Sequence, residues 1–263
     1  MDLASGKLIQ DEPAEGVVRL RVSNEGRRGA LDHEILDTLA ATVAGLDARC
    51  LVLTGTGPVF SAGYDLGNLE GDEFADQAKK LVAHPFNSAI EALDAFRAPV
   101  IGQLNGHAIG GGLELALTCD IRIAADGIKL GMPPAKLGLV YSHTGLRKFV
   151  DAIGPANTAE LFYVGRNVEA RRGRDMGLVN HVVAPDELEG LALSMAGEIA
   201  ANAPLSLSGN KRILRVLAQH AAALPEDVER ELVELRESCF GTEDFREGVQ
   251  AFSQKRAPRW RGR

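Results

Sequence analysis

The sequence predicts an α/β fold followed by an all-helical C-terminal region, and three observations carry that expectation. Short valine-rich runs bounded by glycine or proline alternate with stretches whose apolar residues recur every three or four positions, the pattern of helices packed on mainly parallel strands. Beyond about Asp186 the strand-like runs cease and four helical patterns follow one another. The 263 residues, 45% hydrophobic and 25% charged, are an ordinary globular mixture, long enough for one large core with an accessory lobe. The expected division is residues 1–200 for the α/β core and 201–263 for the helical region.

Gly16–Val22, GVVRLRV, alternates and reads as an early strand. Leu31, Ile35, Leu36, Leu39, Val43 and Leu46 then fall on one helix face. Arg49–Gly55, RCLVLTG, is a β-rich run closed by the turn TGTGP. Ile90, Leu93 and Phe96 give Ser88–Phe96 a helical period, and Pro99 stops it. Pro99–Gly106 and Cys119–Asp126 read as two more strands, and this order favours right-handed crossovers. The C-terminal helical patterns are Asp186–Ala203, Ser206–Leu224, Pro225–Phe240 and Thr242–Arg256, punctuated by Pro204, Pro225 and Gly241.

The composition excludes several classes. Twenty-nine basic against 36 acidic residues leave a formal charge of −7, with no basic stripe for a nucleic acid. A local Lys/Arg cluster can still hold a phosphate. Cys50, Cys119 and Cys239 lie far apart, without a CxxC or a histidine at metal-ligand spacing, so inert thiols are expected rather than disulfides or a metal site. The N-terminus has no apolar signal-peptide core, and no apolar stretch reaches the roughly 18 residues of a membrane span. The expectation is a cytoplasmic protein with neither membrane nor nucleic-acid partner.

Asn105–Asp120, NGHAIGGGLELALTCD, sets three glycines directly before a helical run, although glycine is about 1 kcal/mol worse than alanine inside a helix. At a helix start, unpaired N–H groups and a partial positive charge meet a backbone that no Cβ screens. Such an N–H can hold an oxyanion. Glu114, three residues past Gly111, then stands nearly one turn along the same face, where a general acid or base is useful. The other reading of the same spacing is close helix–strand packing, with Glu114 satisfied by a buried arginine. A second glycine-bearing turn, FSAGYDL at Phe60–Leu66, precedes it by some fifty residues.

These two segments resemble the crotonase, or enoyl-CoA hydratase/isomerase, superfamily. FSAGYDL is similar to its F-x-A-G-x-D-[LI] turn, and NGHAIGGGLELALTCDIRIA to its N-G-x-x-x-G-G-G-x-E segment with the following C-D-x-x-x-A. GLVNHVV and EDFREGVQAFSQKRAPRW match later landmarks, so the resemblance spans nearly the whole chain. It implies an α/β crotonase-like spiral of ββα units with a C-terminal helical region that mediates assembly as a homotrimer or a dimer of trimers. It also implies an acyl-CoA thioester as substrate, so coenzyme A enters as part of the substrate and no separate cofactor or metal is expected.

Carried onto this sequence, the N–H groups of Tyr64 and Gly111 would form an oxyanion hole. Ala62 would meet the adenine, and Tyr64, Asp65, Leu66 and Gly67 would line the acyl–pantetheine path. Phe252 and Lys255 match C-terminal positions that reach CoA, typically from a neighbouring subunit; the lysine is otherwise a solvated surface residue. Gly29 replaces the asparagine of the family's early N-A-L element.

One departure bears on the reaction. Hydratases of this family use two glutamates. The first is present as Glu114, but in LGMPPAKLGLVYS Pro134 falls on the second, and proline has nothing to titrate. PPAKLGLVYS is closer to a pattern of the superfamily's methylmalonyl-CoA decarboxylases, with Tyr141 on its tyrosine. The resemblance therefore implies decarboxylation of a small malonyl-type thioester. Tyr141 would hydrogen-bond the departing carboxylate or protonate the enolate; its alternative is a pocket-wall tyrosine. Hydration or isomerisation through Glu114 is the next reading, and a non-catalytic CoA- or RNA-binding module the third. His143 and Arg147 are weaker candidates for a carboxylate contact, and His107 reads as a packed strand-end residue rather than a base.

Overall fold

In the computed structural model, successive strand–strand–helix turns of the chain give one strand to each of two sheets. Residues 1–65, 85–220, 225–259 and 261 are described. β1 (Asp2–Leu3), β2 (Leu8–Ala14) and β3 (Val17–Val22) open the chain as an antiparallel edge. β4 (Cys50–Gly55), β6 (Val100–Leu104), β8 (Ile121–Ala125) and β11 (His181–Val183) continue that sheet in parallel, in the order β1-β2-β3-β4-β6-β8-β11. The partner strand of each turn, β5 (Val59–Ser61), β7 (His107–Ile109) or β9 (Lys129–Gly131), enters a four-stranded sheet of order β10-β9-β7-β5, with β10 at Val168–Glu169. Each turn advances one strand along both sheets, the repeat of a spiral.

β4 and β6 are buried along their whole length, as parallel strands covered on both faces must be. The helices are α1 (His33–Ala44), α2 (Pro85–Ala95), α3 (Gly111–Thr118), α4 (His143–Ala159), α5 (Ala170–Met176) and α6 (Leu188–Ala201). The helical region adds α7 (Pro204–His220), α8 (Glu226–Phe240) and α9 (Glu243–Ser253). The Asp32 carboxylate caps α1 by accepting from the Ile35 N–H at 2.9 Å. Ala192, Ala196 and Ala200 form a buried stripe that lets α6 lie close across β4, β6 and β8. α7 is pinned by charge. The buried Lys211 ammonium lies 2.7 Å from Asp120 and donates to the Ala98 carbonyl at 2.7 Å, while Arg215 bonds Asp94 and Asp120.

α3 is buried all round, and its glycines have separate duties. Gly110, just before the helix, has φ +58° and ψ −127°, a combination that suits glycine alone. A Cβ on Gly112 would strike Ser61, 2.7 Å from its Cβ and closer still to its carbonyl oxygen, so helix and strand β5 meet backbone to backbone. The close-packing reading of the triple glycine thus holds for Gly112.

The strands β5, β7 and β9 are absent from the sequence reading, since three residues are too few to display a period of two, and so is β2, whose LIQDEPA lacks a run of alternating apolar residues. Burial pushes the Cys50 and Cys119 thiols up to about 12, which makes both inert; the Cys239 side chain lies outside the described residues. Among the described residues no helix is long and apolar enough to cross a membrane.

The same substitution should have opposite signs at two helical glycines. Gly112→Ala overpacks α3 against Ser61 and is expected to cost about 3 kcal/mol. Gly197→Ala in α6, where a Cβ meets nothing within 4 Å, should add about 0.5–1 kcal/mol. Urea denaturation of both variants checks this, and equal small effects would contradict the packing.

Candidate active site

The site is built from two turns that touch through glycine. After β5, Gly63 turns the chain with φ +89°; its N–H donates to Ser61 Oγ at 3.1 Å and its carbonyl accepts the Leu31 N–H at 2.8 Å. A Cβ on Gly63 would lie 2.8 Å from the Ile109 carbonyl oxygen and 3.0 Å from the Gly111 nitrogen, so only glycine admits the second turn this closely. Tyr64, the next residue, bridges to Leu31, and the Asp65 N–H donates to the Leu31 carbonyl at 3.2 Å. The Gly111 N–H is the first of α3 and finds no acceptor within its own helix.

The rest of the motif holds those turns in place. Asn105 Nδ2 donates to the Gly57 carbonyl at 2.9 Å and its Oδ1 accepts from the Gly55 N–H at 2.8 Å. A Cβ on Gly106 would collide with the Pro58 carbonyl, which stacks the two turns. Gly29, the departure from the family's asparagine, has φ +65°, and a Cβ there would lie 3.2 Å from the Phe60 carbonyl oxygen. Glycine suits both conditions.

Glu114 sits in the first turn of α3, 5% exposed. The Tyr141 hydroxyl donates to its Oε2. Tyr141 is itself buried, and its ring meets Phe162 edge-on at 5.6 Å. Burial first, then the charge of Glu114, hold the Tyr141 phenol well above the usual tyrosine range, so it keeps its proton. It also hydrogen-bonds with Tyr64, which joins three side chains in one cluster. At the start of α4, Ser142 Oγ accepts the Gly145 N–H at 3.1 Å. A Cβ on Gly145 would lie 2.6 Å from the Tyr141 ring and 2.9 Å from Glu114 Oε1, so this glycine makes the room in which the pair meets.

Of the residues singled out from sequence, Tyr64, Gly111, Glu114 and Tyr141 come together here. Glu114 is engaged by the Tyr141 phenol, a partner the sequence reading did not assign to it. Ala62 is exposed, its N–H donating to the Arg28 carbonyl at 3.1 Å, and Asp65 pairs with Arg27 at 3.3 Å. Leu66 and Gly67 lie outside the described residues. Phe252 (72% exposed) and Lys255 sit in solvent at the end of α9 and its following turn, and are not drawn into the cluster. Pro134 is buried and begins a short 3-10 turn, Pro134–Leu137.

His143 pairs with Glu229 at 3.4 Å and Arg147 with Asp151 at 2.7 Å, both engaged outside the cluster. His107 begins β7 as expected but is exposed rather than packed, its Nδ1 accepting the Lys129 N–H at 3.0 Å. Gly145 and Phe162 escaped the sequence reading. A glycine within a helix's first turn was the available signal for the first. Phe162 lies in a π-helical turn, Glu160–Val164, whose register no 3.6-residue period reveals.

Residues 13–263 match the family model described as enoyl-CoA hydratase/isomerase. The chain is 31% identical to the 2,3-dehydroadipyl-CoA hydratase of Escherichia coli (strain K12), over 94% of this chain and 96% of that protein. It is 30% identical to the methylmalonyl-CoA decarboxylase of the same organism, over 91% and 92%. Among solved structures, methylmalonyl-CoA decarboxylase in complex with 2-nitronate-propionyl-CoA superimposes with a TM-score of 0.88 at 27% identity, covering 98% of this chain and 99% of that one. An enoyl-CoA hydratase from Bacillus anthracis gives 0.76 at 29%, covering 98% and 100%. The chain belongs to the enoyl-CoA hydratase/isomerase family, an acyl-CoA enzyme of the crotonase fold.

Proposed function

We propose that the protein decarboxylates a small malonyl-type CoA thioester. The observation that carries this reading is the buried Tyr141–Glu114 pair: the carboxylate is already engaged by a phenol, and Pro134 stands where the family's hydratases have their second glutamate. The contact of Gly63 with the Gly111 nitrogen supports an oxyanion hole made by the Tyr64 and Gly111 N–H groups. In the reaction, the bond from the α-carbon to the substrate carboxylate breaks and its electron pair enters the thioester enolate, whose oxygen the two N–H groups hold. Carbon dioxide leaves, and one proton from solvent, directly or through the Tyr141 hydroxyl, restores the α-carbon. No base is needed. The neutral Tyr141 hydroxyl can turn from Glu114 to the substrate carboxylate and fix its direction.

A second reading is hydration of an unsaturated acyl-CoA, supported by Glu114 itself and by the identity to a hydratase. Hydration of crotonyl-CoA that disappears in Glu114→Ala would establish it in place of decarboxylation.

Incubation with methylmalonyl-CoA should release carbon dioxide. Tyr141→Phe should lower kcat/KM about 10- to 150-fold, the worth of one hydrogen bond to a charged group. Because the protonated phenol is the working form and its pKa is raised, the initial rate should not fall as pH passes ~10, where an ordinary tyrosine would be half ionised. Release no faster than the uncatalysed background would remove the reaction.

Assembly as a trimer or a dimer of trimers belongs to the same reading. Leu205, Ile213 and Leu217 repeat on one face of α7 with Leu214 beside them, at 57–86% exposure, a stripe that a monomer leaves in water. Sedimentation equilibrium should give a trimer or hexamer that Leu214→Glu with Leu217→Glu dissociates, and a monomer at micromolar concentration would contradict it.

A further inference from the structure

We propose that the Tyr64 side chain is the end wall of the acyl site and restricts it to short acyl groups of about two to four carbons. The inference rests on the oxyanion-hole reading above and names the substrate size that follows from it. The outer half of the Tyr64 ring lies over Gly111: a Cβ there would be 3.2 Å from Cζ, 3.3 Å from Cε2 and 3.4 Å from Cε1. A thioester oxygen accepting from the Gly111 N–H sits about 3 Å from that nitrogen. In this proposal the acyl chain of that carbonyl lies on the ring's side of Gly111, where it would start against the ring.

The ring is boxed in. Phe86 meets it edge-on, with centroids 4.9 Å apart and an interplanar angle of 72°. The Phe240, Phe245 and Val249 cluster of α8 and α9 packs on it, and its hydroxyl is joined to Tyr141. Displacing it means breaking a buried hydrogen bond and loosening the C-terminal helices. A longer acyl chain would meet two phenols where it needs apolar space, whereas a substrate carboxylate finds hydroxyl donors there. The backbone of residue 64 would thus hold the oxygen while its side chain measures the acyl group.

The test uses saturated thioesters, which are neither decarboxylated nor hydrated. Dissociation constants of acetyl-CoA, butyryl-CoA and octanoyl-CoA are measured calorimetrically for the wild type, Tyr64→Ala, Tyr64→Leu and Tyr64→Phe. The wild type should bind butyryl-CoA at least tenfold more tightly than octanoyl-CoA. Tyr64→Ala should shrink that preference at least tenfold, and Tyr64→Phe should retain it, since the ring remains. Should Tyr64→Ala fail to fold, Tyr64→Leu is read by the same ratio. A wild type without the preference, a ratio unmoved by loss of the ring, or no binding of any of the three overturns the proposal. A shifted ratio without carbon dioxide release from methylmalonyl-CoA upholds the wall and removes the reaction; release with an unshifted ratio does the opposite.

Discussion

The close approach of two peptide segments, Ser61–Tyr64 and Gly110–Gly112, is the constraint on which the site depends. Side chains cannot mediate it, because there is no room for them: a Cβ on Gly63 or Gly112 would overlap the opposite backbone. Each glycine costs conformational entropy that an alanine would not, and burial of the leucines and alanine of α3 offsets that cost. The result is a rigid junction between strand β5 and the start of α3, where the Gly111 N–H, which its own helix leaves unsatisfied, lies beside the Gly63 turn. Groups carried on two packed elements are held more precisely than groups on a loop.

From that junction the rest of the cluster follows by geometry. Glu114 is one helical turn from Gly111, so fixing the helix start fixes the carboxylate. Tyr141 reaches it because Gly145 leaves a gap at the start of α4. The C-terminal region closes the arrangement from the other side. A Cβ on Gly138 would lie 2.9 Å from the Asp244 carbonyl oxygen, and one on Gly248 would lie 2.5 Å from that of Leu137, so α9 docks directly on the turn that carries Pro134. Tyr64 then links the start of α3 to the helical region, since it packs over Gly111 on one side and against the Phe240–Phe245 cluster on the other.

Much of this was legible in the sequence for a physical reason: a glycine required by contact between backbones leaves a mark that no other residue can replace. The triple glycine Gly110–Gly112 pointed to close packing or to an open N–H, the family resemblance paired it with FSAGYDL, and Glu114 was conspicuous as a charge in a leucine-rich helix. The alternation of valine runs and helical periods likewise gave the core, and four amphipathic stretches the helical end. What stayed hidden depends on contacts between residues distant in the chain. The engagement of Glu114 by Tyr141 spans 27 residues, and the packing of Phe245 on Tyr64 joins opposite ends of the chain. His143 and Arg147 looked available beside Tyr141, yet a glutamate on α8 and an aspartate one turn away take them up.

The proposed decarboxylation asks for negative charge to develop on one oxygen and calls for no strong base. Held above its ordinary pKa, Tyr141 is a donor that stays neutral, and a neutral donor directs a carboxylate without the stabilisation a cation would give to a group that must leave. All of it presupposes that the two main-chain N–H groups share one acceptor. A crystal structure with bound propionyl-CoA is the most direct measurement. Convergent donors require the thioester oxygen within about 3.1 Å of both the Tyr64 and the Gly111 nitrogen. A carbonyl bound by only one of them, or turned toward Glu114 instead, would contradict the geometry from which the chemistry was derived.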